Sequence, residues 1–138
     1  MKLLKIALIL MLVSSTSCQG QHKKDSISLN YEAQTRGFHL AIQLENNLLE
    51  VSKNNETQQI ELTEKQLKEV IDMVKKIDFN SIKSNISIDD LAVDKAIKGV
   101  FELNFNGELF TFDIDHNNAP KSIQELLNKL QSFDLSEE

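Results

Sequence analysis

Scarcity is the most informative property of this 138-residue chain. It has one cysteine, one proline, four glycines, no tryptophan and a single arginine, Arg36, among fifteen basic residues. One cysteine excludes an internal disulfide, so the fold must rest on its apolar core. So few glycines exclude the Gly-rich loops that cradle phosphate groups, and no Gly-x-Ser-x-Gly or His-Glu-x-x-His motif occurs. Basic residues are outnumbered by twenty-one acids, for a formal charge of −6. Without a basic stripe the chain lacks the electrostatic footprint of a nucleic-acid binder, and charge alone would not attach it to anionic lipid. The first apolar stretch, Leu3 to Val13, covers eleven residues, against the roughly twenty that a membrane-spanning helix needs.

What the N-terminus does have is a layout. Lys2 and Lys5 supply a positive end, the apolar stretch follows, and Ser14-Ser15-Thr16-Ser17 leads into Cys18. That order is the layout of a secretory signal with a small-residue cleavage site. Ser15-Thr16-Ser17-Cys18 resembles the lipobox of bacterial lipoproteins, in the looser form of the Bacteroidota, with Ser15 where Leu is usual. The resemblance implies cleavage after residue 17, acylation of Cys18 and a lipid bilayer as the first partner. Several acyl chains hold a membrane firmly where one holds it marginally. The alternative is a secreted protein cut nearby, leaving a free thiol. Removing residues 1–17 would leave 121 residues and, with Lys2 and Lys5 gone, a formal charge of −8.

In that group, surface export follows acidic residues just after the cysteine. Gln19-Gly20-Gln21-His22-Lys23-Lys24 is not acidic, so the expected place is the outer membrane facing the periplasm, with surface exposure the alternative. The expected organisation is a signal peptide at 1–17, a lipidated cysteine and flexible tether at 18–25, one domain at 26–135 and an acidic tail at 136–138.

From Ser26 the polarity alternates with period two. Ile27, Leu29, Tyr31 and Ala33 share one face of a half-buried strand. Phe38, Leu40, Ile42 and Leu44 resume the alternation beyond Arg36-Gly37. A two-residue turn there pairs Ala33 with Leu40, Tyr31 with Ile42 and Leu29 with Leu44. A turn at Asn46-Asn47 pairs Leu44 with Leu49 and Ile42 with Val51, so both turns build one continuous apolar face. Asn54-Asn55 then turns the chain into a fourth strand through Gln58, Ile60 and Leu62.

Thr63-Glu64-Lys65-Gln66 carries a capping box, with Leu62 and Leu67 as its staple. Leu67, Val70, Ile71, Val74 and Ile77 form one helical stripe. Asp78 to Lys98 is an unusually long, partly ordered connection, in which Asp89-Asp90-Leu91 starts a short helix ending near Gly99. Asn106-Gly107 is a strong hairpin signal and pairs Leu103 with Phe110 and Phe101 with Phe112. Pro120 sits in the first turn of a second helix, whose stripe is Ile123, Leu126, Leu127, Leu130 and Phe133. The expected fold is α+β: an antiparallel sheet of about five to six strands, a meander plus a hairpin, with two amphipathic helices packed on one face.

Three features invite chemistry. Arg36 offers a planar five-donor fork that lysine cannot imitate, at a hairpin tip where it could grip a carboxylate or phosphate. Its plainer role is an internal ion pair. Asp113, Asp115 and Asn117 have the one-three-five oxygen spacing of a calcium loop, but Asn118 replaces the turn glycine and Gln124 stands where the bidentate Glu should be. Capping of the strand end and the following helix is the simpler reading, so no metal and no cofactor are expected. His116 lies beside Asp113 and Asp115 without a marked nucleophile, so no catalytic set is assembled. Thr35-Arg36-Gly37, the Thr-capped helix and Asp115-His116-Asn117-Asn118-Ala119-Pro120 together resemble an uncharacterised group of small Bacteroidota lipoproteins. That resemblance implies this fold and compartment, and singles out Arg36 and His116 as possible binding residues.

The expected function is a membrane-tethered adaptor that binds an envelope protein through the open sheet face or the Arg36 tip. The alternative is an inhibitor or immunity-type lipoprotein that blocks a cationic envelope hydrolase.

Overall fold

The computed structural model describes residues 23–86 and 96–134. The leader, Cys18, the first part of the tether, the Asp89-Asp90-Leu91 helix start and the acidic tail lie outside the described residues. Six strands form one antiparallel sheet: β1 (Ile27–Thr35), β2 (Phe38–Glu45), β3 (Leu48–Lys53), β4 (Glu56–Glu61), β5 (Lys98–Phe105) and β6 (Glu108–Asp115), in the spatial order β4-β3-β2-β1-β5-β6. Two helices, α1 (Glu64–Lys76) and α2 (Lys121–Asp134), complete the α+β fold.

Every cross-strand pair read from the sequence is present. Leu29 faces Leu44, Tyr31 faces Ile42 and Ala33 faces Leu40. Ile42 meets Val51 and Leu44 meets Leu49, while Phe101 meets Phe112 and Leu103 meets Phe110. The turns explain why these registers hold. Asn106 and Gly107 both take positive φ (54° and 88°), as do Asn54 and Asn55 (49° and 75°). That is the left-handed turn that matches the twist of paired strands. A slip of one residue would turn every apolar side chain outward.

The sequence does not reveal how the meander meets the second hairpin. β1 pairs with β5, setting Leu29 against Leu103 and Tyr31 against Phe101. β1 thus becomes a central strand with both edges paired. Its Leu29, Tyr31 and Ala33 are buried to within 1 % of complete exclusion from solvent.

Both helices lay their stripes on this face. Thr63 accepts from the Gln66 backbone N–H while the Gln66 side chain accepts from the Thr63 N–H, closing the capping box. Val70 and Val74 of α1 are buried, as is the whole α2 stripe from Ile123 to Phe133. Each large side chain removed from water contributes about 1.5–3 kcal/mol before entropy is charged against it. Lys129 of α2 reaches Glu69 of α1 at 2.7 Å and ties the helices together.

Residues 78–86 do more than connect. Phe79 stacks on Phe110 with ring centroids 4.7 Å apart and lies within 6.5 Å of the Phe101 and Phe112 rings, covering the β5–β6 part of the sheet. The chain then runs beside the free edge of β6. Asn85 N–H donates to the Asp113 carbonyl, Asp115 N–H to Asn85 Oδ1, and Asp113 N–H to Ser84 Oγ. An edge strand that would offer open backbone groups is thereby occupied.

Three boundaries differ from expectation. Gly99 lies within β5, opposite Ala33 and Ile114, and residues 96 and 97 before that strand are not helical. Leu62 stands beyond the end of β4 and is buried as part of the α1 staple. Pro120, by contrast, opens α2 as expected: its carbonyl accepts the first i, i+4 bond of the helix, from Gln124 N–H. Asp25, expected in the tether, is held by Lys75 at 2.6 Å and by Asn106 at 2.9 Å.

Candidate functional site

Tyr31 is the only tyrosine in the chain, and its position in β1 points it into the core. Its hydroxyl lies 2.7 Å from His116 Nδ1, across 85 residues of sequence. A wholly buried hydroxyl needs an acceptor for its proton. Burial, reinforced by the negative charge of Asp115, holds the phenol far above its ordinary pKa, so Tyr31 keeps that proton. Burial also lowers the His116 pKa, against the opposing pull of Asp115, which keeps the imidazole neutral. The Tyr31 hydroxyl therefore donates to Nδ1, and the network assigns the single imidazole proton to Nε2.

The ring is fixed from a second side. Phe38, the first residue of β2, tilts against His116 at 5.2 Å between centroids, while Tyr31 stacks at 5.9 Å. Phe38 also closes the Arg36-Gly37 turn opposite Thr35. The two residues singled out by resemblance, Arg36 and His116, thus belong to the same end of the sheet, linked through Phe38. Arg36 is exposed and makes no ion pair with any described residue.

Below that turn, on the helix side of the sheet, is a cleft of about 210 Å³. Phe38, Leu40 and Leu127 supply its apolar wall, and Lys53, His116 and the α2 amides Gln124, Asn128 and Gln131 its polar one. No carboxylate lines it, although acids outnumber bases in the chain.

The calcium-like spacing is put to other use. Asp113 pairs with Lys98 at 3.1 Å on the sheet. Asp115 Oδ1 accepts from the Asn117 and Ile97 N–H groups, capping the turn over His116–Asn118. Among the described residues, no group of three or more His, Cys, Asp or Glu side chains could share a metal ion. His39 stands on the polar face, 3.7 Å from Glu32.

The opposite face of the sheet carries no helix. Glu32, Glu45, Glu50, Glu61, Glu102, Asp113 and, at the end of β6, Asp115 all stand there, by the alternation of the paired strands. Of the described lysines and arginine, only Lys98 shares it. Leu48 and Leu109, 47 % and 67 % exposed, flank one row of this face.

No family model, curated protein sequence or solved structure matches this chain. No helix among the described residues is long and apolar enough to cross a membrane.

Periodicity alone misses Tyr31, Phe38 and Lys53 as members of one site. Tyr31 and Phe38 fit the apolar alternation as well as any core residue. A lone tyrosine among buried aliphatic positions is the one available signal, because its hydroxyl must find a partner somewhere.

Proposed function

We propose that this chain is a membrane-tethered lipoprotein of the cell envelope, anchored through acylated Cys18, that works as a protein-binding module. The open face of the sheet holds the partner. One observation carries the assignment of the surface: seven carboxylates stand on this face with Lys98 the one described lysine among them. Such a face favours a partner with a basic surface and speeds their encounter. It is also repelled by anionic lipid, which favours an orientation facing away from the bilayer. The leader layout and the position of Cys18 support the anchor, and the non-acidic residues after Cys18 support the periplasmic side of the outer membrane.

A photo-crosslinker at Gln43, in the middle of the face, should trap a resident envelope protein in cells. The same probe at Glu125 on α2 should not. Reversing Glu50 and Glu102 to Lys should abolish the crosslink, and persistence of the crosslink in that variant would refute the acidic face as the contact. Mass spectrometry of the native protein tests the anchor; an unmodified thiol at residue 18 would end that part of the reading.

The same acidic face favours a second reading, an inhibitor of a cationic envelope hydrolase. Purified protein should then give stoichiometric inhibition of cell-wall hydrolysis that weakens as salt is raised. Inhibition unchanged by salt would count against it.

A further inference from the structure

The described clefts differ in charge. Those near the N-terminal end of α1 and on the open face each include a carboxylate: Asp25 and Glu64, Asp72, Glu45 or Glu32. The cleft below the Arg36 turn has none, and Lys53 is its only formal charge. Lys53 makes no ion pair with any described residue, although Glu56 faces it across the Asn54-Asn55 turn. His116 lines the same cleft with Nδ1 already taken by Tyr31, so the polar atom it has left to offer is the Nε2–H donor. Gln124 and Asn128 follow one another at i, i+4 on α2 and therefore present their amides on one side of the helix. Every group that can meet a ligand's polar end here is a donor or can act as one, and Phe38 and Leu127 supply an apolar wall.

We propose that this cleft binds a small carboxylate, held by the Lys53 ammonium, the His116 Nε2–H and the amides of Gln124 and Asn128, with the ligand's apolar body against Phe38. A carboxylate is an acceptor only and matches a set of converging donors. A cleft of about 210 Å³ suits a small acid or the last residue of a peptide. Because the cleft lies on the helix side of the sheet, this site and the acidic docking face stand or fall separately.

The test is a titration of the purified, 15N-labelled full chain followed by NMR. Sodium benzoate is the first probe, and an acetylated peptide ending in phenylalanine is the second, with a free or an amidated terminus. Saturable shifts are expected at Phe38, His116, Gln124 and Asn128. Lys53→Gln should weaken binding about tenfold, the loss of one charge-assisted hydrogen bond, with the rest of the spectrum unchanged. Glu56→Gln, outside the cleft, should leave affinity as it was or raise it. Binding of benzoate alone identifies a free acid as the ligand; tighter binding of the free-terminus peptide identifies a chain end. No saturable shift at these residues with either probe, equal binding to Lys53→Gln, or saturable binding of the amidated peptide as tight as that of the free-terminus one would overturn the proposal.

Discussion

Gly99 and Tyr31 compete for the same space: a Cβ on Gly99 would lie 2.5 Å from the Tyr31 hydroxyl oxygen and 3.0 Å from two of its ring carbons. Glycine is therefore what lets the tyrosine lean along β5 and reach His116. Gly99→Ala should destabilise the protein by about 1–3 kcal/mol, the usual cost of overpacking a filled site. Tyr31→Phe removes the nearest atom, so Gly99→Ala should cost less in that background. Urea unfolding of the four variants checks the coupling, and strictly additive losses would show that the two residues act independently.

His116 links the site to pH. Its folded pKa is lowered, mainly by burial, from the ordinary value of 6.5. As pH falls, the unfolded chain takes up this proton before the folded one does. The stabilisation is complete above 6.5 and is lost as pH drops through the lower folded value. Unfolding midpoints of the wild type should fall over that window more steeply than those of His116→Gln. Parallel curves for the two proteins would contradict the assignment.

Asn85 closes the edge of β6 with three hydrogen bonds, to Asp113, Asp115 and Asn118. Asn85→Ala keeps the bond from its own N–H and loses the two made by the side chain. It should cost about 1 kcal/mol and leave an edge strand open to other chains. Concentration-dependent association, absent from the wild type, is the expected signature in sedimentation. A variant that stays monomeric would mean that the backbone contact alone protects the edge.

Thr63 supports α1 through one side-chain oxygen, 3.2 Å from the Gln66 backbone nitrogen. Thr63→Ala should lower stability by about 1 kcal/mol and Thr63→Ser by much less. Equal losses in thermal unfolding would show that the methyl group, and not the hydroxyl, matters.

Where interactions are local, the amino-acid order was sufficient. The registers at Arg36-Gly37, Asn46-Asn47 and Asn106-Gly107 follow from turn residues and period two, and the Thr63–Gln66 box and both helical stripes from spacings of three and four. These contacts lie within one hairpin or one or two helical turns, so nearby residues decide them. Tertiary structure alone placed β5 beside β1, brought Ser84 and Asn85 to the edge of β6, and set Tyr31 against both Gly99 and His116. Each joins segments dozens of residues apart, where many apolar faces are equivalent as partners and only the packing of the whole sheet chooses among them. Polar Tyr31 on an otherwise apolar face was visible from the start, but its acceptor became identifiable only once the two hairpins shared a sheet.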